Sequence, residues 1–186
     1  VPVAMVVSAK MRLGHRDEDR MLDCARAIAD GGAAEIVVHA RTKVHGYKPP
    51  AYWDRIAHIR AAVAVPVVAN GEVWNADDAR RCLAESGCDA LMLGRGLVAD
   101  PGLARVLRGG TEAGWDEIRP LVAAYSRLIA PRVAPRHCAG RIKQWLNQLR
   151  RRFEGAAQLY ERVRTLNALA EIEAVLAEHE HEALPA

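Results

Sequence analysis

The sequence has no apolar run of about 18 residues, the length a membrane-spanning helix needs, so none of its segments is expected to cross a bilayer. Its four cysteines, Cys24, Cys82, Cys88 and Cys138, lack CxxC spacing. That argues against a zinc site or a disulfide framework, and no metal is expected. A reducing cytoplasm fits such cysteines, and all four are expected to act as small buried hydrophobes. The opening VPVAMVVSAK is too short and too quickly charged for a signal peptide, and it begins on valine, so a missing upstream part is expected. No G-x-G-x-x-G follows an apolar run, which weighs against a dinucleotide-binding sheet.

What is present is a globular composition, 51% apolar and 26% charged over 186 residues. The net charge of +3 is unevenly spread. Residues 115–167 hold eleven Lys/Arg against four Asp/Glu, or +7, whereas residues 168–186 hold five Glu and no Lys/Arg. A basic block on an otherwise balanced chain points to a polyanionic partner.

Four strand–helix units repeat along the first part. Val1 to Ala9 reads as a strand buried on both faces, with Lys10 at its C-terminal end. A helix from Asp19 has Met21, Ala25 and Ile28 at helical spacing and stops at Gly31-Gly32. Glu35 to Val38 is a second strand, ending at His39-Ala40-Arg41-Thr42, and Trp53, Ile56, Ile59 and Val63 mark the next helix. Pro66 to Ala69 and Ala90 to Leu93 read as two more buried strands around a helix capped by Asn75 and ended by Gly87. A short helix led by Asp100-Pro101 closes the pattern.

The last two strands stop at Asn70-Gly71-Glu72 and Gly94-Arg95-Gly96. In a parallel sheet both turns lie on one edge, where glycine lets backbone N–H groups approach an anion and arginine adds a fixed positive fork. The pair reads as a phosphate cradle. A Rossmann-like sheet and half of a (β/α)₈ barrel both fit four such strands. The missing glycine fingerprint and the cradle's place on the last two units favour the barrel, as strands five to eight. Residues 1–110 are therefore expected to form the second half of a TIM barrel. Residues 111–186 are expected to form a small α-helical bundle, with helices at Trp115–Ala130, Ala139–Phe153, Ala156–Asn167 and Leu169–His179. Pro131, Pro135, Gly155 and a weaker break near Asn167 are read as separating them. Ile142, Trp145, Leu146 and Leu149 form a core stripe that leaves Arg141, Lys143 and Arg150 to Arg152 outside it.

The ordered set SAKMRLG, VVHARTKVHGY, VVANGEVW, GCDALMLGRG and RIKQWL resembles the tRNA-dihydrouridine synthases, most of all the bacterial C-type subfamily. The resemblance covers nearly the whole chain and corresponds to the second half of such an enzyme. It implies an FMN-dependent barrel that reduces a D-loop uridine of tRNA, with NADPH as reductant, and the subfamily likeness suggests position 16. By the same resemblance Lys10 contacts the flavin ring, and Asn70, Gly71 and Glu72, with Gly94 and Arg95, match the segments that bind the ribityl phosphate, Glu72 either binding a ribityl hydroxyl or only capping the turn. His39 and Arg41 match a His-x-Arg turn facing the site; His39 is assigned to the cofactor and Arg41 to RNA. Tyr47 matches an aromatic that contacts the extruded nucleotide, and Arg141, Lys143 and Arg164 resemble residues contacting the RNA backbone.

The family's proton-donating cysteine follows a Cys-Pro type motif in the barrel's first half, and no such motif occurs here. No catalytic residue is therefore expected in this chain, which should be inactive without an N-terminal barrel half. Two other readings stand beside this one: a catalytically dead module that holds tRNA, and another FMN-dependent barrel oxidoreductase with a small substrate.

Overall fold

A computed structural model describes residues 5–181. It forms two compact units that divide between Gly96 and Leu97. That division falls ahead of residue 110, so the segment after Gly96 clusters with the later helices.

The first unit is a parallel sheet in the order β1-β2-β3-β4, comprising Ser8–Arg12, Glu35–His39, Val67–Asn70 and Ala90–Met92. Its crossovers are α1 (Met21–Asp30), α2 (Trp53–Ala62) and α3 (Ala76–Ser86). Register places Arg12 opposite His39, His39 opposite Asn70 and Asn70 opposite Met92. One row of residues thus marks the carboxyl ends of all four strands. The central strands are apolar and buried because helices cover them, and Trp53, Ile56 and Ile59 of α2 make the inner face of one crossover. Both expected caps of α3 form: the Asn75 side chain accepts from Asp78 N at 2.8 Å, and Gly87 adopts a left-handed φ of 65°.

The outer strands differ from expectation. β1 starts at Ser8 and runs through Lys10, so the lysine lies inside the strand, and residues 1–4 fall outside the described residues. Backbone pairing of Lys10, Met11 and Arg12 with Val37, Val38 and His39 draws these side chains into the ladder. Alternation then buries Met11 and leaves Lys10 and Arg12 on the other face. Neither β1 nor β4 is buried on both faces, because each is an edge; Met5 and Val6 are more than four-fifths exposed. Cys24 is exposed as well, whereas Cys82, Cys88 and Cys138 are buried as expected. It precedes the inward-facing Ala25 by one residue, which is about 100° round the helix.

A helix not expected from the sequence, α4 (Arg95–Ala99), begins inside the Gly94-Arg95-Gly96 turn, and α5 (Leu103–Leu107) follows Asp100-Pro101. In the second unit α6 (Trp115–Ile129), α7 (Pro135–Leu149), α8 (Glu154–Val163) and α9 (Leu169–His181) share one apolar core. Ile142, Leu146 and Leu149 are fully buried in it, with Trp145 packed against it. Two of the expected breaks lie inside helices. Pro135 opens α7, where its missing N–H costs nothing. Gly155 sits in the first turn of α8 because any Cβ there would come within 2.3 Å of the Trp115 ring.

Among the described residues no helix is long and apolar enough to cross a membrane. Much of the basic block is engaged in ion pairs. Arg150 and Arg164 meet Glu161, Arg152 meets Glu112 and Asp100, and Arg162 meets Glu178. Apart from the one to the buried Asp100, these pairs are exposed and contribute little to stability.

Candidate functional site

A cleft of about 480 Å³ opens at the carboxyl edge of the sheet and collects side chains from every strand end. On its floor Lys10 Nζ donates to Asn70 Oδ1 at 2.5 Å, and Asn70 Nδ2 donates to the Met92 carbonyl at 2.7 Å. The amide is thereby oriented, with its oxygen toward the lysine. Burial, and then the neighbouring Arg12, lower the Lys10 pKa from its usual value.

His39 is buried beside Gly71, whose φ of 124° and lack of a side chain both matter: a Cβ there would come within 2.9 Å of the His39 ring. Trp53 Nε1 donates to the Gly71 carbonyl at 2.8 Å and fixes the turn from below. Burial, with the positive charges of Arg12, Lys10, Arg41 and Arg95, lowers the His39 pKa to about 4. The imidazole is therefore neutral near pH 7. Because the unfolded chain takes up this proton near pH 6.5 and the folded one only near 4, stability falls with acid across that window. Urea-unfolding midpoints should drop between those values, and His39→Gln should flatten that slope; an unchanged slope would sink the assignment.

Glu72 adopts a left-handed backbone, with φ at 59°, that turns its carboxylate inward. One oxygen accepts from Trp74 Nε1 at 2.8 Å; the other accepts from Arg41 Nη2 and from Arg95 Nη2, the latter at 3.4 Å. Burial opposes ionisation, but hydrogen bonds from Arg41 and Trp74 and the charges of Arg41 and Arg95 outweigh it and hold the pKa low. Arg95 lies over two rings, 5.1 Å from the Tyr47 centroid and 5.0 Å from that of Trp74. Arg12 donates to the Thr42 and Gly46 carbonyls at 3.0 and 3.1 Å and stands 5.3 Å from the Tyr47 centroid, steadying that loop.

Lys10, His39, Asn70, Gly71, Glu72, Gly94, Arg95 and Tyr47 thus line a single cleft. Arg41 requires a correction. Assigned to RNA by the resemblance, it is fully buried, donating from Nε to the Pro50 carbonyl at 3.0 Å and from Nη2 to Glu72. It cannot reach a solvent-borne strand, and its Nη1 has no hydrogen-bond partner among the described residues. Arg141, Lys143 and Arg164 all lie in the second unit. Arg141 is exposed, Arg164 pairs with Glu161 at 2.6 Å, and Lys143 Nζ donates to the Leu166 carbonyl at 2.8 Å, closing the end of α8. Sequence reasoning missed Arg12 and Trp74. Arg12 was available from its position two residues after Lys10, on the same strand face; the inward reach of Trp74 had no sequence signal.

No cysteine lines the cleft. Burial pushes the Cys82 thiol up to about 12 and raises that of Cys88, so neither is suited to donate a proton.

The family model for dihydrouridine synthase (Dus) matches residues 2–184. The chain belongs to the dihydrouridine synthase family. The tRNA-dihydrouridine(16) synthase of Aquipseudomonas alcaligenes is 50% identical over 183 residues, which are 95% of this chain and 58% of that protein. The proteins of that name from Ralstonia nicotianae and Shewanella oneidensis are 50% and 40% identical, over 56% and 58% of their lengths. The chain thus spans a little over half the length of these dihydrouridine synthases. Their names agree with the C-type resemblance read from its motifs. Among solved structures, a mandelate oxidase mutant aligns with a TM-score of 0.32 and 17% identity over 87% of this chain and 59% of its own, too slight a likeness to bear on the fold.

Proposed function

We propose that this chain is the second barrel half and the helical domain of an FMN-dependent tRNA-dihydrouridine synthase. It acts in the cytoplasm, reducing a D-loop uridine, at position 16, to 5,6-dihydrouridine with NADPH as reductant. The observation that carries the reading is that, in a chain of this family, the Lys10–Asn70–Met92 network and the Gly71, Gly94 and Arg95 turns converge on one cleft. The open edges of β1 and β4 support a barrel completed by further strands.

The residues present fit FMN. A Cβ at Gly94 would meet nothing within 4 Å, so a phosphate can approach that backbone, and Arg95 is held beside it by two rings. Gly71 keeps the opposite turn narrow. FMN, when bound, would supply the hydride chemistry. Lys10, at the cleft floor, would place its ammonium where it can stabilise negative charge on a ring bound there. Neutral His39 packs beside the turn without adding to that charge. Tyr47, 63% exposed at the mouth, offers a ring face to a base that has left its stack. Proton delivery to the uridine falls to a residue outside this chain, since no described thiol reaches the cleft. Arg141, Lys143 and Arg164 belong to the face that meets the RNA backbone, in which Lys143 also closes a helix end.

Unmodified tRNA incubated with the full natural-length protein, FMN and NADPH should gain dihydrouridine at position 16 by nuclease digestion and mass spectrometry. The 186-residue chain alone should give none. Absence of product with the full-length protein would overturn the proposal.

A further inference from the structure

The second unit carries a cavity of its own, about 590 Å³, walled by α6, α7 and Val98. Its centre is an aromatic pair: Tyr125 and Trp145 stand edge to face with centroids 5.1 Å apart. Trp145 Nε1 donates to the Val98 carbonyl at 3.0 Å, which locks the indole in place, and Val98 itself is 45% exposed. Around the rings stand Arg141, Gln144, Asn147 and Gln148. Among the described residues none of these four is engaged by another protein group, in contrast to the ion-paired arginines nearby. The cavity therefore combines rigid planar surface, unspent carboxamides and one free guanidinium.

Each part has a use for a nucleotide. Aromatic rings accept any base by stacking, carboxamides match the donor and acceptor edges of an unpaired base, and guanidinium suits the adjoining phosphate. An apolar protein segment would leave the carboxamides unpaired, and a lone anion would leave the rings unused. The +7 charge of residues 115–167 favours a polyanion. We infer that this cavity receives a second, unstacked base of the RNA, separate from the uridine that enters the barrel cleft. The inference rests on the reading of the chain as acting on tRNA. A base held here would fix how the RNA is presented, which phosphate contacts alone leave loosely defined.

The test uses the full natural-length protein and an unmodified tRNA transcript, with affinity measured by fluorescence anisotropy over a salt series. Trp145→Leu keeps an apolar side chain but loses the ring plane, and should weaken binding roughly tenfold. Its salt dependence should stay as in the wild type. Trp145→Phe loses the same hydrogen bond to Val98 yet keeps a ring, and should recover most of the affinity. Arg141→Gln should instead reduce the log–log salt slope by about 0.7 to 0.9. Wild-type affinity in Trp145→Leu, with normal dihydrouridine formation by the wild type, would overturn the base pocket alone. Equal weakening in Trp145→Leu and Trp145→Phe would also overturn it, by assigning the effect to the lost hydrogen bond. Failure of the wild type to form dihydrouridine would instead sink the functional reading beneath it.

Discussion

Glu72→Gln is expected to lower the unfolding free energy by about 3 to 5 kcal/mol, the cost of leaving one partner of a buried ion pair uncompensated. The deeper partner sets the cost. Arg41 is fully buried whereas the Glu72 side chain is 20% exposed, so neutralising the carboxylate strands a guanidinium that water cannot reach. Its Nη1 already has no hydrogen-bond partner among the described residues. The reverse change, Arg41→Leu, should cost less, about 2 to 3 kcal/mol, because Glu72 keeps Trp74 and Arg95 and some water. The double variant should be more stable than the two single effects predict by simple addition, since it removes both charges together. Acid provides an independent check. The folded Glu72 pKa lies below 4.5, so the pair's contribution is whole above that value and is lost as pH falls through the folded pKa. Glu72→Gln should abolish this acid-dependent loss and leave the His39 slope at higher pH untouched. Urea unfolding followed by circular dichroism measures all of these. A Glu72→Gln penalty under about 1 kcal/mol would mean that Arg41 is not held by this charge.

The same pair shows where reading the sequence stopped. Asn75 and Gly87 were legible as caps because each solves a local problem, an orphan N–H and a left-handed residue. The turns after β3 and β4 were legible because glycine marks them. In His39-Ala40-Arg41, by contrast, a spacing of two puts both side chains on one face of an extended chain. The backbone does not stay extended: Arg41 N donates back to the His39 carbonyl at 2.6 Å. That local reversal sends Arg41 under the loop to Pro50, where it meets a glutamate 31 residues on. The positive φ of Glu72 is hidden in the same way, since the residue before it is the glycine that a turn would be expected to need. Edge exposure was illegible for a different reason. An apolar run reads as buried whether or not this chain supplies the cover, so Ala90 to Leu93 looked like the strand before it.

On the function proposed above, Lys10→Met is expected to slow uridine reduction by the full natural-length protein on the order of 10² to 10³, the usual loss when one preorganised charged donor is removed from an active site. Methionine keeps a flexible apolar stem, and Lys10 is exposed on an edge strand, so the fold should survive and tRNA affinity should change little. The loss should fall on kcat. Asn70→Ala acts on the same charge at one remove. It frees Lys10 Nζ from its 2.5 Å acceptor and unties the amide from the Met92 carbonyl, so the ammonium remains but is no longer aimed. A loss of roughly tenfold should follow, the lower range for misplacing a group that is still present. The ranking separates charge from packing: if Lys10 served only to hold Asn70 and the strand ends in register, the two variants would lose activity equally. Following NADPH-driven bleaching of bound flavin absorbance gives a second readout that involves no RNA. Delayed bleaching in Lys10→Met with normal flavin retention would place the lysine's charge in the chemistry, whereas turnover within threefold of wild type would remove it from the mechanism.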